Sequence, residues 1–329
     1  MNRFWVNKRV FITGSDGFIG SWLTKALIEH GAEVTALIRD VNSEASFLSK
    51  SELKKIHIIN GKLEDYLLLE RVLNEYEIDT VFHLAAQSLV GPALRSPLQT
   101  FESNIRGTYN LLEACRQHCR QIRRILVASS DKAYGDSPTL PYTEEMPLQG
   151  KFPYEVSKSC ADLLSLSYAH TYQLPIVIAR CGNVYGGGDK NWSRIIPGTI
   201  RSLMHNQPPV VRSNGFLTRD YLYVEDAVQA YLLMAMKAEQ SCVRNHAFNF
   251  GPEKPTSVLN IVQALQKIMD REDLKPVILN QSAGEIPNQI LNSEKAKTTL
   301  NWSPNYSLEK GLQLTVDWYK NHLLEPLHA

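Results

Sequence analysis

Two short stretches of this chain bring together side chains that could perform chemistry. Ser130, Asp131 and Lys132 follow one another and supply a hydroxyl, a carboxylate and an amine. Tyr154 and Lys158 stand four residues apart, so a helix places them on one face. Such a lysine can lower the pKa of the phenol and hold a cofactor ribose while the phenol exchanges a proton with a substrate hydroxyl. Hydride transfer needs only the hydroxyl of the first stretch, so the extra acid and base indicate that a C–O bond is also broken.

A glycine triplet near the start of the chain predicts a phosphate-binding turn. Gly14, Gly17 and Gly20 lie between a predicted strand, Arg9–Thr13, and a predicted helix, which is the context that dinucleotide binding requires. Gly14 permits the tight turn, Gly17 lets a pyrophosphate approach the backbone, and Gly20 lets the helix pack on the strand. The alternative is an ordinary strand–helix turn.

The end of the second predicted strand bears on the choice of cofactor. Asp40 could accept hydrogen bonds from an adenosine ribose, which favours NAD, whereas Arg39 could pair with a 2′-phosphate, which favours NADP. Our interpretation favours NAD and keeps NADP open. Both side chains could instead be ordinary surface residues.

Short β-branched runs alternate with amphipathic stretches through the first half of the chain. The predicted strands are Arg9–Thr13, Glu33–Ile38, Lys55–Asn60, Thr80–Leu84, Arg124–Ala128 and Pro175–Ala179. The predicted helices are Ile19–His30, Leu67–Tyr76, Leu98–His118, Tyr154–Tyr172, Arg194–His205, Val224–Lys237, Val258–Asp270 and Leu308–Asn321. This alternation predicts an α/β fold with a Rossmann-type, doubly wound parallel sheet and its binding crevice at the carboxyl edge. We expect a cofactor-binding domain over 1–183, with 215–250 partly returning to it, and a smaller C-terminal α/β substrate lobe over 184–329.

The bulk composition narrows the possible partners. The 329 residues have a net charge of +1, so no global field attracts nucleic acid or an anionic membrane, and neither is expected as a partner. No stretch reaches the length of a membrane span. The five cysteines show no paired spacing, which favours reduced thiols and a cytoplasmic location. Cys115 and Cys119 could share a metal, but no partner pair has matching spacing, so no metal site is predicted.

The motifs together resemble the extended short-chain dehydrogenase/reductase family that acts on nucleotide sugars. The resemblance covers nearly the whole chain. It rests on Gly14-x-x-Gly17-x-x-Gly20, His83-Leu84-Ala85-Ala86-Gln87, Asn104, Tyr154-x-x-x-Lys158, Arg180-x-x-Asn183-Val184-Tyr185-Gly186 and Arg219-Asp220-Tyr221-Leu222-Tyr223-Val224-Glu225-Asp226.

Three stretches are most similar to CDP-glucose 4,6-dehydratases. They are Phe4-Trp5 with Lys8-Arg9-Val10-Phe11 and Gly20-Ser21-Trp22-Leu23, then Ser130-Asp131-Lys132, and finally Gly182-Asn183-Val184-Tyr185-Gly186-Gly187-Gly188-Asp189. Two departures leave the nucleotide base open. Lys62 replaces an expected acidic residue before the adenine pocket, and the run from Arg219 to Tyr223 replaces Arg-Pro-Trp-Gln-His and is closer to dTDP- and UDP-sugar enzymes.

The resemblance implies a set of binding residues. Besides the glycines, Arg39, Asp40, Tyr154 and Lys158, those for the cofactor are Asp16, Phe18, Ile19, Leu63, Ala85, Ala86 and Asn104. Those for the nucleotide sugar are Gln87, Ser88, Asn183, Arg194, Arg219 and Glu285. Arg219 suits the diphosphate because its fork of donors matches phosphate oxygens. Surface arginines and buried structural amides are the alternatives for Arg194, Arg219, Gln87 and Asn183.

The resemblance also implies a mechanism. Tyr154, aided by Ser130 and Lys158, would take the proton of the sugar 4-hydroxyl during hydride transfer. Asp131 would protonate the departing C6 hydroxyl, and Lys132 stands where sister dehydratases carry a glutamate base. The rival activities are a 4-epimerase, which needs no acid and base at C5 and C6, an NADPH-dependent keto-sugar reductase, and a non-catalytic dinucleotide sensor. The family further implies a homodimer that pairs helices Leu98–His118 and Tyr154–Tyr172.

Overall fold

A computed structural model describes residues 3–40, 48–281 and 285–323. The strands in these residues are β1 Arg9–Thr13, β2 Glu33–Ile38, β3 Ile56–Asn60, β4 Thr80–His83, β5 Arg124–Ser130, β6 Ile176–Cys181, β7 Asn183–Tyr185, β8 Val210–Val211, β9 Thr218–Arg219, β10 Tyr221–Tyr223, β11 Ala247–Phe250, β12 Thr256–Ser257 and β13 Val277–Ile278. The α-helices are α1 Phe18–Glu29, α2 Lys50–Leu53, α3 Tyr66–Glu75, α4 Val90–Arg95, α5 Pro97–Phe101, α6 Gly107–Gln117, α7 Pro153–Tyr172, α8 Ile195–Met204, α9 Val224–Lys237, α10 Val258–Ile268 and α11 Leu308–Leu323.

Seven strands form one parallel sheet. Their order is β11-β6-β5-β4-β1-β2-β3, and every neighbouring pair runs parallel. The chain winds outward in one direction from β1 to β3 and in the other from β4 onward, so the switch point lies between β1 and β4. This arrangement confirms the prediction of a Rossmann-type, doubly wound sheet and places a crevice at the carboxyl ends of β1, β4 and β5.

Both faces of the sheet are buried, as expected for parallel strands joined by helices. On one face Phe82 and Leu126 belong to an apolar cluster that includes residues of α1 and α9. On the other face Phe11 and Ile125 belong to a cluster with residues of α3 and α6. Burial of each such side chain contributes roughly 1.5–3 kcal/mol, so the sheet is a rigid base for the loops at its edge.

A third apolar cluster builds the C-terminal lobe. Tyr185 and Tyr223, from β7 and β10, pack there with residues of α8, α10 and α11. After α9, the chain returns through β11, which pairs with β6 at the edge of the main sheet. The lobe is therefore connected to the sheet through β6 and β11, the two strands at one edge of the sheet.

Two elements differ from the sequence prediction in ways that matter for the site. β5 continues to Ser130, two residues beyond the predicted end, and a 3₁₀ turn, Asp131–Tyr134, follows at once. The predicted helix Leu98–His118 is observed as α5, a π-helical turn over Glu102–Arg106, and α6. A π turn inserts an extra residue into a helix and is frequent at functional sites.

Candidate functional site

The glycine turn lies between β1 and α1 and is shaped by close backbone contacts. Gly14 has a positive φ of +75°, and a Cβ at this position would lie 2.8 Å from the backbone nitrogen of Ala85. A Cβ on Gly20 would lie 1.8 Å from the carbonyl oxygen of Gly14. Gly17 is the N-cap of α1 and offers no side-chain cap. The first backbone N–H groups of α1 are therefore available to an anion, and a pyrophosphate fits this turn.

The remaining predicted cofactor residues surround this turn or lie further along the sheet edge. Asp16 is part of the turn, and Phe18 and Ile19 are the first two residues of α1. Leu63 is buried, and a Cβ on Gly107 would lie 2.6 Å from its Cβ. Arg39 and Asp40 follow β2, are exposed, and form an ion pair of 2.8 Å with each other.

The segment after β4 is fixed by Asn104. The Asn104 side chain accepts a hydrogen bond from the backbone N–H of Gln87 (2.7 Å) and donates to the Gln87 carbonyl (3.0 Å) and to Ser157 Oγ (2.9 Å). Because Asn104 lies in the π turn, this irregular turn supports the loop that carries Ala85, Ala86 and Gln87. Asn104 thus positions the loop from within the fold.

The residues predicted for hydride transfer meet at the carboxyl end of β5. Burial raises the pKa of Tyr154 to about 12; Arg194 opposes this shift, Asp131 adds to it, and a hydrogen bond with Ser130 opposes it. Lys158 is buried, and its Nζ donates to the carbonyl of Ala128 at 2.8 Å. Burial lowers the pKa of Lys158 to about 8, although Asp162 opposes the shift. Arg194 and Ser130 are the groups that oppose the rise of the Tyr154 pKa, and its lowering by Lys158 stays a prediction.

The predicted acid and base lie next to these residues. Asp131 is almost completely buried; its Oδ1 accepts a hydrogen bond from Ser130 Oγ (2.9 Å) and lies 3.6 Å from Lys132 Nζ. Its second oxygen, Oδ2, has no hydrogen-bond partner among the described residues. Burial lowers the pKa of Lys132, with Asp131 opposing the shift. Burial thus favours the neutral form of this amine, and an acid–base pair for elimination requires a base that can be neutral beside a carboxyl group.

The predicted substrate residues differ in their contacts and in their exposure. Asn183 Oδ1 accepts a hydrogen bond from Lys132 Nζ at 3.4 Å. Asp131, Lys132 and Asn183 therefore form one group, which we name the acid–base cluster after the predicted roles of Asp131 and Lys132. The Gln87 side chain bonds both backbone groups of Leu89, which is the structural role left open by the sequence. Ser88 is exposed beside it.

Three charged candidates lie on the lobe side of the crevice. Arg219 is buried and donates to the carbonyl of Pro287 (3.2 Å) and to Glu285 (3.3 Å). Arg194 is partly exposed and pairs with buried Asp189 at 2.9 Å. The structure therefore brings Arg219 together with Glu285, and Arg194 into range of Tyr154.

Two buried residues near the site were not among the predicted site residues, although Asp220 is part of the family motif that begins at Arg219. Gln289 is fully buried, and its Oε1 accepts from Lys132 Nζ across 157 positions of sequence. Asp220 accepts hydrogen bonds from the backbone N–H groups of Glu253, Lys254 and Leu291. Burial raises the pKa of Asp220 to about 6. No local sequence signal points to Gln289, since its neighbours in sequence form no motif.

The fold and the site together define an extended short-chain dehydrogenase/reductase. Residues 11–315 match the model of the family described as GDP-mannose 4,6 dehydratase. The chain belongs to this family. The match confirms the predicted membership of the nucleotide-sugar 4,6-dehydratase group.

Individual relatives agree with this assignment. CDP-glucose 4,6-dehydratase of Salmonella typhimurium is 31% identical over 96% of this chain and 92% of its own length. The structure of dTDP-glucose 4,6-dehydratase from Bacillus anthracis, solved with NAD, is 25% identical, with a TM-score of 0.83 over 96% of this chain and 97% of that one. UDP-glucose 4-epimerase of Thermotoga maritima, solved with UDP-glucose, is 28% identical, with a TM-score of 0.86 over 95% of this chain and 99% of that one.

Proposed function

We propose that this protein is an NAD-dependent nucleotide-sugar 4,6-dehydratase that converts a nucleoside-diphosphate hexose into its 4-keto-6-deoxy derivative. One observation carries the proposal: a buried carboxyl group and a partly buried amine, 3.6 Å apart, directly follow the hydroxyl of Ser130. A 4-epimerase needs Ser130, Tyr154 and Lys158 but has no use for an acid and a base at C5 and C6. The Asp131–Lys132 pair therefore favours dehydration.

NAD fits the cofactor site of this chain. The first backbone N–H groups of α1 have no side-chain cap and would bind a pyrophosphate. Gly14 and Gly20 keep the turn compact, because a Cβ on either residue would collide with backbone atoms. Asp40 would hold the adenosine ribose, and Lys158 the nicotinamide ribose. Bound NAD would supply a hydride acceptor for C4 of the sugar and then a hydride donor for C6, so no cofactor would be consumed. Arg39 keeps NADP as the alternative, although its guanidinium pairs with Asp40.

The protein's own groups would move three protons. Tyr154 would take the proton of the sugar 4-hydroxyl, with Ser130 bonded to the phenol oxygen. The resulting ketone acidifies the C5 proton, which Lys132 would remove, while Asp131 would protonate the C6 hydroxyl as it leaves as water. Lys132, whose amine protons exchange with solvent, would return a proton to C5 when hydride adds to C6. Arg219 would bind the diphosphate, and Asn183 and Arg194 would orient the sugar.

The proposal is tested by product analysis without added reductant. Purified protein with NAD is incubated separately with CDP-glucose, dTDP-glucose, UDP-glucose, GDP-mannose and UDP-N-acetylglucosamine in deuterated water. We expect one of them to yield a 4-keto-6-deoxy sugar with deuterium at C5. A 4-epimer alone, or product only after NADPH addition, would refute the dehydratase and support an epimerase or a reductase.

We also infer that the enzyme is a homodimer joined through α5, α6 and α7. These helices lie side by side and expose apolar side chains, including Leu98 (70% exposed) and Leu163 (54%). Exposed apolar patches of this kind mark association surfaces.

The division of labour along the chain is a further part of the proposal. We infer that 1–183, with part of 215–250, binds the cofactor and that 184–329 binds the nucleotide sugar. The five cysteines, all within the described residues, are free, which supports a reducing, cytoplasmic location. Separately, no helix among the described residues has the length and apolar character needed to cross a membrane.

A further inference from the structure

Gln289 lies on a segment that runs between β9 and the loop around Tyr142. The N–H of Thr218 donates to the carbonyl of Pro287 (3.0 Å), and the N–H of Gln289 donates back to Thr218 (3.1 Å). On the far side, the N–H of Tyr142 donates to the carbonyl of Ile290 (2.8 Å). The backbone of Gln289 is thus fixed from two directions, and its side chain has little freedom to choose another position.

The two ends of the Gln289 amide have different surroundings. Oε1 accepts a hydrogen bond from Lys132 Nζ. Nε2 is buried and has no hydrogen-bond partner among the described residues. A buried donor without a partner costs free energy. A glutamine at this position is therefore unfavourable unless one end of its amide has a function. Its Oε1 contacts Lys132, the proposed base.

We propose that Gln289 is a positioning residue that holds the amine of Lys132 beside Asp131 for removal of the C5 proton, an inference that rests on the proposed dehydratase function. Lys132 Nζ has a second hydrogen-bond acceptor, Asn183 Oδ1 at 3.4 Å, and forms an ion pair with Asp131 Oδ1 at 3.6 Å. Contacts with these three oxygens fix the direction of the ammonium group. Without Gln289 the amine would be held only by the two longer contacts.

The charged groups around Lys132 determine how a substitution of Gln289 should change the protonation of the Lys132 amine. Asp131 and Glu155 favour the ammonium form of Lys132, whereas burial and Arg219 favour the neutral form. The side-chain carbonyl of Gln289 also favours the ammonium form of Lys132, because it accepts a hydrogen bond from the amine. Removing this acceptor favours the neutral amine, and replacing it by a carboxylate favours the ammonium.

Two variants test the inference in opposite directions. Gln289→Glu has the size of the native side chain, whereas Gln289→Leu removes both polar ends. The titration of Lys132 is followed by NMR of the lysine ¹³Cε signals, with the Lys132 signal assigned by its absence in Lys132→Arg. We expect the titration midpoint to rise by about one pH unit or more in Gln289→Glu, as an added charge at this distance produces. In Gln289→Leu the midpoint falls.

Gln266→Leu is the matched control. Gln266 is also buried, in α10, and its Nε2 donates to the carbonyl of Leu274 at 2.6 Å. This variant loses a buried glutamine far from the acid–base cluster, so the Lys132 midpoint stays unchanged. Thermal melts verify that each variant is folded, and Gln289→Glu, which keeps the native volume, decides the outcome if Gln289→Leu does not fold.

Activity provides the second readout. Since a base must be neutral, the ascending limb of kcat against pH shifts upward in Gln289→Glu and downward in Gln289→Leu, while KM changes less than about twofold. An unchanged Lys132 titration in Gln289→Glu, or a shift in the same direction in both variants, would overturn the inference. If the native protein dehydrates no nucleotide sugar, the proposed function fails, and the NMR titration still decides whether Gln289 governs Lys132.

Discussion

Substitution of Asp131 and Lys132 should stop one half of the proposed reaction, the elimination of water, and leave the other half, the oxidation at C4, intact. In the double variant Asp131→Asn with Lys132→Ala, Ser130, Tyr154 and Lys158 are unchanged, so C4 oxidation should survive. Elimination should slow by roughly 10²–10⁴-fold, the usual contribution of positioned acid–base groups. We expect reduced nicotinamide to accumulate at 340 nm in the first turnover without formation of 4-keto-6-deoxy product.

Asp136→Asn is the control for this experiment. Asp136 is exposed and lies just beyond the 3₁₀ turn that carries Asp131, so its carboxylate is local but outside the acid–base cluster. It should retain native turnover. Full turnover by the double variant would show that other groups act at C5 and C6.

Lys158 predicts a pH dependence for the oxidation step. Its pKa of about 8, lowered by burial, means that the side chain is cationic below about pH 8 and neutral above it. We therefore expect the first-turnover oxidation of the sugar to slow as pH rises through about 8. In Lys158→Arg the guanidinium keeps its charge, so the descending limb moves to higher pH even if the rate is lower. Stopped-flow absorbance of the reduced nicotinamide measures both profiles, and the same descending limb in both proteins would contradict the role of Lys158.

At the scale of elements, the turn between β1 and α1 depends on its glycines because backbone atoms leave no room for Cβ. In Gly20→Ala the new methyl group would lie 1.8 Å from the carbonyl oxygen of Gly14, so α1 must shift from β1. We expect a loss of more than about 2 kcal/mol in the free energy of unfolding, which is typical of steric overpacking, and weaker binding of NAD. Denaturant unfolding and isothermal titration calorimetry measure the two effects.

Gly91→Ala is the matched control for the turn. Gly91 lies in the short helix α4, and a Cβ there would make only an ordinary contact of 3.6 Å with Arg95. Alanine has the higher helix propensity, so this variant should be neutral or slightly stabilising. Equal losses in the two variants would mean that the Gly14–Gly20 contact has no special role.

The same elements show what the sequence could and could not predict. Six of the seven strands of the main sheet were predicted, with ends within two residues of those observed, and so was the turn between β1 and α1, because β-branched runs, glycine spacing and helix periodicity are local signals. The seventh strand, β11, was not predicted. The π turn around Asn104 was not predicted, since a single extra residue in a helix hardly changes its periodicity. β5 extends to Ser130 because Ser129 and Ser130 pair with β6, and pairing between strands is not visible in one strand's sequence.

Gln289 is the clearest case of a residue that sequence patterns cannot locate. It lies 157 positions from Lys132, and only the contacts of its segment with β9 and with Tyr142 bring it to the base. Ser130, Asp131 and Lys132 were found because they are consecutive and follow a strand. Asp131 and Lys132 were therefore predictable, because they form a local motif. Gln289 was not, because its position depends on contacts between segments that are distant in sequence.

At the scale of the whole molecule, the exposed face of α5, α6 and α7 should join two copies of the chain. It carries Leu98 and Leu163, which are far more exposed than apolar residues of this size usually are, together with Tyr109 and Tyr172. Burying such a patch stabilises an interface by roughly 25 cal/mol for each Å² removed from water, before the costs of association. The native protein should therefore have twice the mass of one chain by size-exclusion chromatography with light scattering.

The double variant Leu98→Glu with Leu163→Glu should be monomeric at micromolar concentration, because a C₂ interface places each new charge in apolar surroundings and repeats it across the axis. Leu67→Glu is the control: Leu67 is 72% exposed but lies on α3, outside this face, so the mass should not change. The acid–base cluster and the segment around Gln289 that contacts it belong to one chain, so the monomer should keep measurable dehydration. A monomeric native protein, or a double variant that remains dimeric, would show that the apolar face of α5, α6 and α7 is not the interface.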